Sequence, residues 1–348
     1  MRIEDEIKLT FDDVLIRPKR STLVSRSEVV LERQFKFKHT NEVWTGVPIF
    51  SANMDTTGTF ETAITLQKHK MLTAIHKFYS IKDWEKNVEK LDPNFISVTV
   101  GQSKEDLQLG QKIFSLNSDI KYLCIDVANG YREDFINSVK NYRETFPDKI
   151  IIAGNVATRE MTEALILAGA DIVKIGIGPG SVCTPRSVAG VGYPQLSSIS
   201  ECSDAAHGLG GHVMADGGCK YPGDVSKAFG AGADYVMLGG MFAGHKESGG
   251  ELVTDEEGVQ YKDFYGMSST KAQQTYYGDL AEHRAPEGKK VRLRYKGELD
   301  KTVQSILGGM RSACSYVGAK KLKDLPKSTT FIRVTQTTNE IFTGSENI

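Results

Sequence analysis

The chain has 348 residues, 40% hydrophobic and 25% charged, with a formal net charge of −1. This is a soluble globular composition, and the even balance of basic and acidic residues leaves no electrostatic footprint for nucleic acid. No run of about 18 apolar residues marks a membrane span, and the acidic start Met1-Arg-Ile-Glu-Asp-Glu does not read as a signal peptide.

Residues 1–46 read as a polar, irregular extension containing a short strand or hairpin, signalled by Phe35-Lys-Phe-Lys38, that packs on the main body. The cluster Arg17-Pro-Lys-Arg20 reads as a solvated turn. From Val47 the pattern is regular. Short apolar runs at 47–53, 71–76, 95–101, 122–129, 150–157, 171–177, 211–218 and 235–240 predict eight strands. Amphipathic segments such as Arg159 to Leu167 and Pro222 to Phe229 lie between them. Eight strand–helix units predict an α/β protein, a closed (β/α)8 TIM barrel, as a single domain over residues 1–348. A weak repeat, Ala168-Gly-Ala-Asp171 before strand six and Ala231-Gly-Ala-Asp234 before strand eight, agrees with stacked units. Residues 241–301 separate strand eight from a last helix expected at Thr302 to Val317, and read as a long flap over the catalytic rim.

The stretch from Asp171 to Arg186 carries the chemistry. A buried strand gives way to Gly176, Gly178, Pro179 and Gly180, a loop that can turn its backbone towards an ion or ligand. Cys183 follows, beyond the carboxyl end of the strand, where parallel α/β proteins hold their ligands. A free cysteine is often only a small buried hydrophobe; the glycine-rich lead-in favours a nucleophile. The five cysteines are odd in number and contain no CxxC, which suits a reducing cytoplasm and not a disulfide framework. The seven histidines show no HxxxH or HxH spacing, which argues against a transition-metal site.

Asp216-Gly217-Gly218 ends strand seven and Gly239-Gly240 ends strand eight. Such glycines relieve crowding at turns or let backbone N–H groups approach a phosphate, and the pair at these two strands favours phosphate. Asp216 would repel the anion but suits ribose hydroxyls. Asp126 is either a buried hydrogen-bonded carboxylate or a ligand contact. Lys77, after His76 at the end of strand two, is a solvated cap or a cation for an anionic cofactor. Glu287 taken alone reads as a surface acid.

Gly176-Ile-Gly-Pro-Gly-Ser-Val-Cys-Thr with Gly190-Val-Gly-Tyr-Pro-Gln195 resembles the cysteine loop of the IMP dehydrogenase/GMP reductase family. The resemblance runs from Phe11-Asp-Asp-Val-Leu and Ser51-Ala-Asn-Met-Asp55 to Gly308-Gly-Met-Arg-Ser312. It is stronger to the reductases of that family. No regulatory domain separates strands two and three, the arginine–tyrosine pair of the dehydrogenases is not evident, and Arg284-Ala-Pro-Glu-Gly288 and Gly266-Met-Ser268 resemble the reductase flap.

The resemblance implies NADPH-dependent reductive deamination of GMP to IMP and ammonia through a cysteine thioimidate. It implies Cys183 as nucleophile and Glu287 as the acid for the leaving ammonia. Asp216, Gly217, Gly218, Gly239, Gly240, Gly266, Met267, Ser268, Arg284, Ala285, Pro286 and Gly288 would hold GMP. Lys77, Asp126, Val127, Ala128, Ile177 and Gly178 would contact NADPH, joined by Ser25, Arg26, Ser312, Ala313, Cys314 and Ser315 from a neighbouring subunit of a homotetramer. Gly178, Gly180, Cys183 and Arg186 would bind potassium. One position departs from the family: its catalytic threonine, two residues after the cysteine, is Pro185 here. Proline has no hydroxyl, so Glu287 would carry the proton, through a water or Thr184. The alternatives are oxidation of IMP with NAD, or a non-catalytic purine nucleotide-binding protein.

Overall fold

The computed structural model describes residues 1, 3–180, 185–277 and 288–335. Eight parallel strands close into a barrel: β1 (Ile49–Ser51), β2 (Leu72–Ile75), β3 (Ile96–Val100), β4 (Tyr122–Asp126), β5 (Ile150–Val156), β6 (Ile172–Ile175), β7 (His212–Asp216) and β8 (Tyr235–Leu238). Each lies within a predicted apolar run. A helix follows each strand: α1 (Phe60–Leu66), α2 (Ile81–Asn87), α3 (Lys104–Leu116), α4 (Glu133–Thr145), α5 (Arg159–Leu167), α6 (Gln195–Gly208), α7 (Pro222–Gly230) and α8 (Leu299–Val317). Local chemistry sets their ends. Ser80 with Asp83, and Ser103 with Asp106, form capping boxes at α2 and α3. Pro222 opens α7, and Gly318 ends α8 in the left-handed conformation at φ 74°.

The period of two along each strand sorts its side chains. On β6, Val173 and Ile175 face the helices and pack in one cluster with Leu165 and Ile166 of α5. Ile172 faces inward and packs with Tyr122, Cys124, Ile152, Met214 and Tyr235. Lys174 shares that inward parity. Along β4 and β7 the same parity carries inward to Asp126 and Asp216, the last residues of their strands.

The amino-terminal stretch does more than pack on the outside. Arg33–Lys36 and Val43–Gly46 form an antiparallel hairpin with Phe35 opposite Trp44. Phe35, Phe37 and Trp44 join the inner cluster and close the barrel at the amino ends of its strands. Phe35 stacks on Tyr235 at 4.5 Å between centroids, and Trp44 Nε1 donates to the Asn94 carbonyl at 2.8 Å.

The Ala-Gly-Ala-Asp repeat has a physical reason at this same end. Asp171 Oδ2 accepts from the Ile151 N–H at 3.0 Å and from Arg143 Nη2 at 2.5 Å, while Oδ1 accepts from the His39 N–H. Asp234 repeats the device: Oδ2 accepts from the Val213 N–H at 3.1 Å, and Arg33 Nη2 donates to Oδ1 at 3.2 Å. Each carboxylate ties the start of its own strand to the neighbouring strand and to the hairpin.

Beyond β8 the chain builds a three-stranded antiparallel sheet, Leu252–Thr254, Gln260–Tyr265 and Lys290–Arg294, and a helix, Thr270–Tyr277. Helix α8 starts at Leu299, ahead of the expected Thr302, because the Glu247 carboxylate accepts from the Leu299 N–H at 3.0 Å. Among the described residues no helix is long and apolar enough to cross a membrane.

Candidate active site

Closure of the barrel brings three inward charged residues together at the carboxyl ends of the strands. Lys174 pairs in register with Gly154 on one side and Met214 on the other, and Asp126 pairs with Gly154. Lys174 is buried, with its side chain 4% exposed, and Nζ lies 2.6 Å from Asp126 Oδ1 and 2.9 Å from Asp216 Oδ2. A buried ammonium is stable only with such partners. Burial opposes the charge on Lys174, but Asp126 and Asp216 outweigh it and raise the ammonium well above its ordinary pKa. Burial likewise opposes ionisation of Asp126; Lys174, Lys77 and a bond from Asn53 overcome it and hold the carboxyl below its usual range. One layer deeper, burial pushes the Cys124 thiol up to about 12, so it stays protonated and inert.

The strand ends approach too closely for side chains. A Cβ on Gly176 would lie 2.1 Å from the Asp216 carbonyl. Gly217, at φ +89°, packs against Pro179 and Gly180 of the cysteine loop. Asn155 Nδ2 donates to Asp216 Oδ2 and to the Gly176 carbonyl, both at 2.9 Å. The ends of β5, β6 and β7 are therefore one hydrogen-bonded unit. The insertion after β8 is tied to the opposite side of the rim. Tyr265 and Tyr276 donate to Asp55 Oδ2 at 2.6 and 2.7 Å, and the Tyr276 ring stacks on Phe78 at 3.6 Å, next to Lys77. Gly266, Met267 and Ser268 form a turn closed by the Ser269 N–H on the Gly266 carbonyl, and Gly288 bridges to Ser269.

Residues 8–341 match the family described as IMP dehydrogenase / GMP reductase domain. The chain belongs to the IMP dehydrogenase/GMP reductase family. It is 57% identical over 345 residues to proteins named GMP reductase from Buchnera aphidicola subsp. Acyrthosiphon pisum (strain Tuc7), Escherichia coli O81 (strain ED1a) and Enterobacter sp. (strain 638). In each comparison the match covers 98% of this chain and 99% of the relative.

The family match spans all the residues singled out from the sequence, and those among the described residues fall into two groups in space. Lys77, Asp126, Val127, Ala128, Ile177, Gly178, Gly180, Asp216 to Gly218, Gly239 and Gly240 lie at the carboxyl rim, with Gly266, Met267, Ser268 and Gly288 in the insertion above it. Cys183, Thr184, Arg284, Ala285, Pro286 and Glu287 lie outside the described residues. Pro185 opens a short helix, Pro185–Val188, a position at which the missing N–H has no helical partner to lose. Arg186 Nη2 donates to the Tyr193 carbonyl at 2.7 Å; a guanidinium has no acceptor atom, so Arg186 could offer a cation only its main-chain carbonyl.

The second group sits elsewhere. Ser25 caps a helical turn, Arg26–Glu28, that packs on α8. Ser312 and Ala313 line a hollow of about 330 Å³ with Ile16, Pro18 and Tyr316. Cys314 faces the other way, into the core, and burial pushes its thiol up to about 11. Helix α8 runs back down the barrel from the rim, so Ser312 lies roughly 20 Å below Leu299 at 1.5 Å per residue. Within one chain this group does not meet Asp126 and Asp216.

Lys174, Asn155, Asp55, Tyr265 and Tyr276 escaped the sequence reading as site residues. The signal for Lys174 was present: a lysine interrupting a buried apolar run must find an anion. Histidine spacing also missed one cluster. His207, His212 and Asp234 bring their ligand atoms within 4.8 Å of one another at the hairpin end, because the carboxylate comes from the next strand. His207 Nε2 lies 2.7 Å from Asp234 Oδ2, which the Val213 N–H also approaches, and Arg33 occupies the other oxygen.

Proposed function

We propose that the chain reduces GMP to IMP and ammonia with NADPH, as a purine-interconverting enzyme of the cytoplasm. Full-length 57% identity to proteins named GMP reductase carries this reading. GMP, NADPH and two protons give IMP, NADP+ and ammonium.

In this reading the backbone N–H groups of Gly217, Gly218, Gly239 and Gly240 take the phosphate, and Asp216 accepts from the ribose. Gly266, Met267, Ser268 and residues 284–288 cover the base. The Cys183 thiolate adds to purine C2, and Glu287, through a water or Thr184, gives the leaving ammonia its proton. After hydride reaches C2, the carbon–sulfur bond breaks and returns the thiolate. NADPH, when bound, supplies that hydride. Lys77 and Asp126, partly exposed at the rim, suit a polar anionic cofactor, with Val127, Ala128, Ile177 and Gly178 along its path. The distance down α8 favours Ser25, Arg26 and residues 312–315 acting from a neighbouring subunit of a homotetramer. Carbonyls of Gly178, Gly180, Cys183 and Arg186 suit potassium, which prefers neutral oxygens; Gly178 holds φ +75°, a turn that can aim them.

The test is nicotinamide absorbance with purified protein, potassium, NADPH and GMP. Loss of absorbance matched by IMP and ammonia is expected. A gain of absorbance with IMP and NAD+ instead would replace this reading with the dehydrogenase. Silence in both, with GMP still bound, would leave a binding protein.

A further inference from the structure

We propose that Lys174 is a positioning residue that builds the substrate and cofactor sites as one charge network. The inference depends on the reading just given, in which Asp216 faces GMP and Asp126 faces NADPH. The ammonium sits between the two carboxylates at 2.6 and 2.9 Å, and it is buried while they remain 26% and 20% exposed. Lys174 therefore touches neither ligand; it acts through the two groups that do. Its strand is admitted by a glycine: a Cβ on Gly154 would lie 2.7 Å from Lys174 Cβ and 2.5 Å from the Lys174 carbonyl. Asn155 extends the network from Asp216 to the Gly176 carbonyl, at the root of the loop that carries Cys183.

The electrostatics define what the lysine does. With the ammonium in place, both carboxylates have a counter-charge and each keeps an exposed face for hydroxyl or amide donors. Without it, two like charges remain close together, with Lys77 and Asn53 still on Asp126 and Asn155 on Asp216 but no shared cation, and the pair takes up a proton more readily. The two carboxylates would then share a proton, and both ligand sites would suffer from one substitution. A lysine that only stabilised the fold would not couple the two sites.

Lys174→Met in the full chain tests this. The KM values for GMP and for NADPH should both rise, by about tenfold or more each, the scale of a lost charge-assisted contact. The profile of kcat/KM should gain an acidic limb: activity lost at lower pH, where the pair holds its proton, and recovered as pH rises. Lys174→Met with Asp126→Asn removes the like-charge conflict. It should return the GMP KM towards wild type and abolish the limb while the NADPH KM stays high. Should Lys174→Met fail to fold, Asp126→Asn alone serves, with GMP affinity measured by calorimetry in the absence of NADPH. Asp216 would then pair one-to-one with the ammonium and be the weaker acceptor, so GMP should bind about fivefold more weakly. Unchanged KM values and pH profile in a folded Lys174→Met, or unchanged GMP affinity in Asp126→Asn, would overturn the proposal. If the wild-type chain neither binds nor turns over GMP, the functional reading fails; an active wild type with indifferent variants sinks this inference alone.

Discussion

At the carboxyl rim, Asp126 and Asp216 share one ammonium and keep 26% and 20% of their side chains exposed. At the hairpin end, Asp234 is 6% exposed and receives Arg33, His207 and the Val213 N–H on its two oxygens. Both are charge clusters centred on carboxylates at the two ends of one barrel. They differ in whether the anion is saturated. A carboxylate whose acceptor positions are filled by its own chain can only hold structure together. One that is pinned on a single side is oriented and still open to a ligand. That difference, rather than burial itself, separates a clamp from a site.

Exchanging the losses at the two ends is the strongest way to break the comparison. Asp216→Ala should lower kcat/KM for GMP by about a hundredfold or more, from lost orientation and charge-assisted bonds, and should lower the denaturant midpoint less than Asp234→Ala does, because Asp126 still pairs the Lys174 ammonium. Asp234→Ala should do the reverse. It strands partly buried Arg33 and should cost about 2 kcal/mol of stability, leaving the KM values of the folded fraction unchanged. If Asp234→Ala instead raised the GMP KM selectively, the clamp would not be purely structural.

Proton linkage sharpens the contrast. The bond to Asp234 raises His207 above its ordinary pKa against burial. Burial opposes the charge on His212, but Asp234 raises it as well. Burial opposes ionisation of Asp234, and the two histidines overcome it and hold the carboxyl far below its usual range. The histidine contribution is present below their unfolded pKa of about 6.5 and is lost as pH rises through the raised folded values. The aspartate contribution is present above about 3.9 and is lost as pH falls towards its depressed folded value. The clamp is therefore strongest between these limits. Denaturant midpoints of wild type and His207→Asn should differ most near pH 5 and converge as pH rises through the raised histidine values.

Smaller effects are expected where the insertion meets the rim. Tyr276→Phe keeps the ring on Phe78 but removes one of two hydroxyls from Asp55, and should raise the GMP KM about threefold with no change in melting. The smallest effect on the overall rate is expected for Pro185→Thr, which restores the family's hydroxyl. It should speed ammonia release severalfold in a rapid-quench measurement if proton delivery limits that step; an unchanged step would mean Glu287 alone suffices.

Much of this was legible in the chain, for reasons that are local. Each barrel strand was announced by a short apolar run, because both faces of a parallel strand are covered. The Ala-Gly-Ala-Asp repeat was visible, but its purpose was not: the N–H groups that Asp171 and Asp234 capture belong to Ile151 and Val213, each about 20 residues earlier. Phe35-Lys-Phe-Lys38 announced a strand, yet nothing in its alternation said that its aromatic rings would close the barrel floor.

The site divides in the same way. The sequence by itself determined the eight-unit barrel, the glycine-rich strand ends and the family, since period, turn chemistry and motif spacing are carried by neighbouring residues. Only the tertiary structure decided that Lys174 joins Asp126 to Asp216, that Asp55 holds two tyrosines of the insertion, and that residues 312–315 lie far from the rim of their own chain. Those relations arise because closure sets β4, β5, β6 and β7 side by side, and a helix carries the chain back down the barrel after each strand. Register and crossover, which depend on the whole fold, choose the partners.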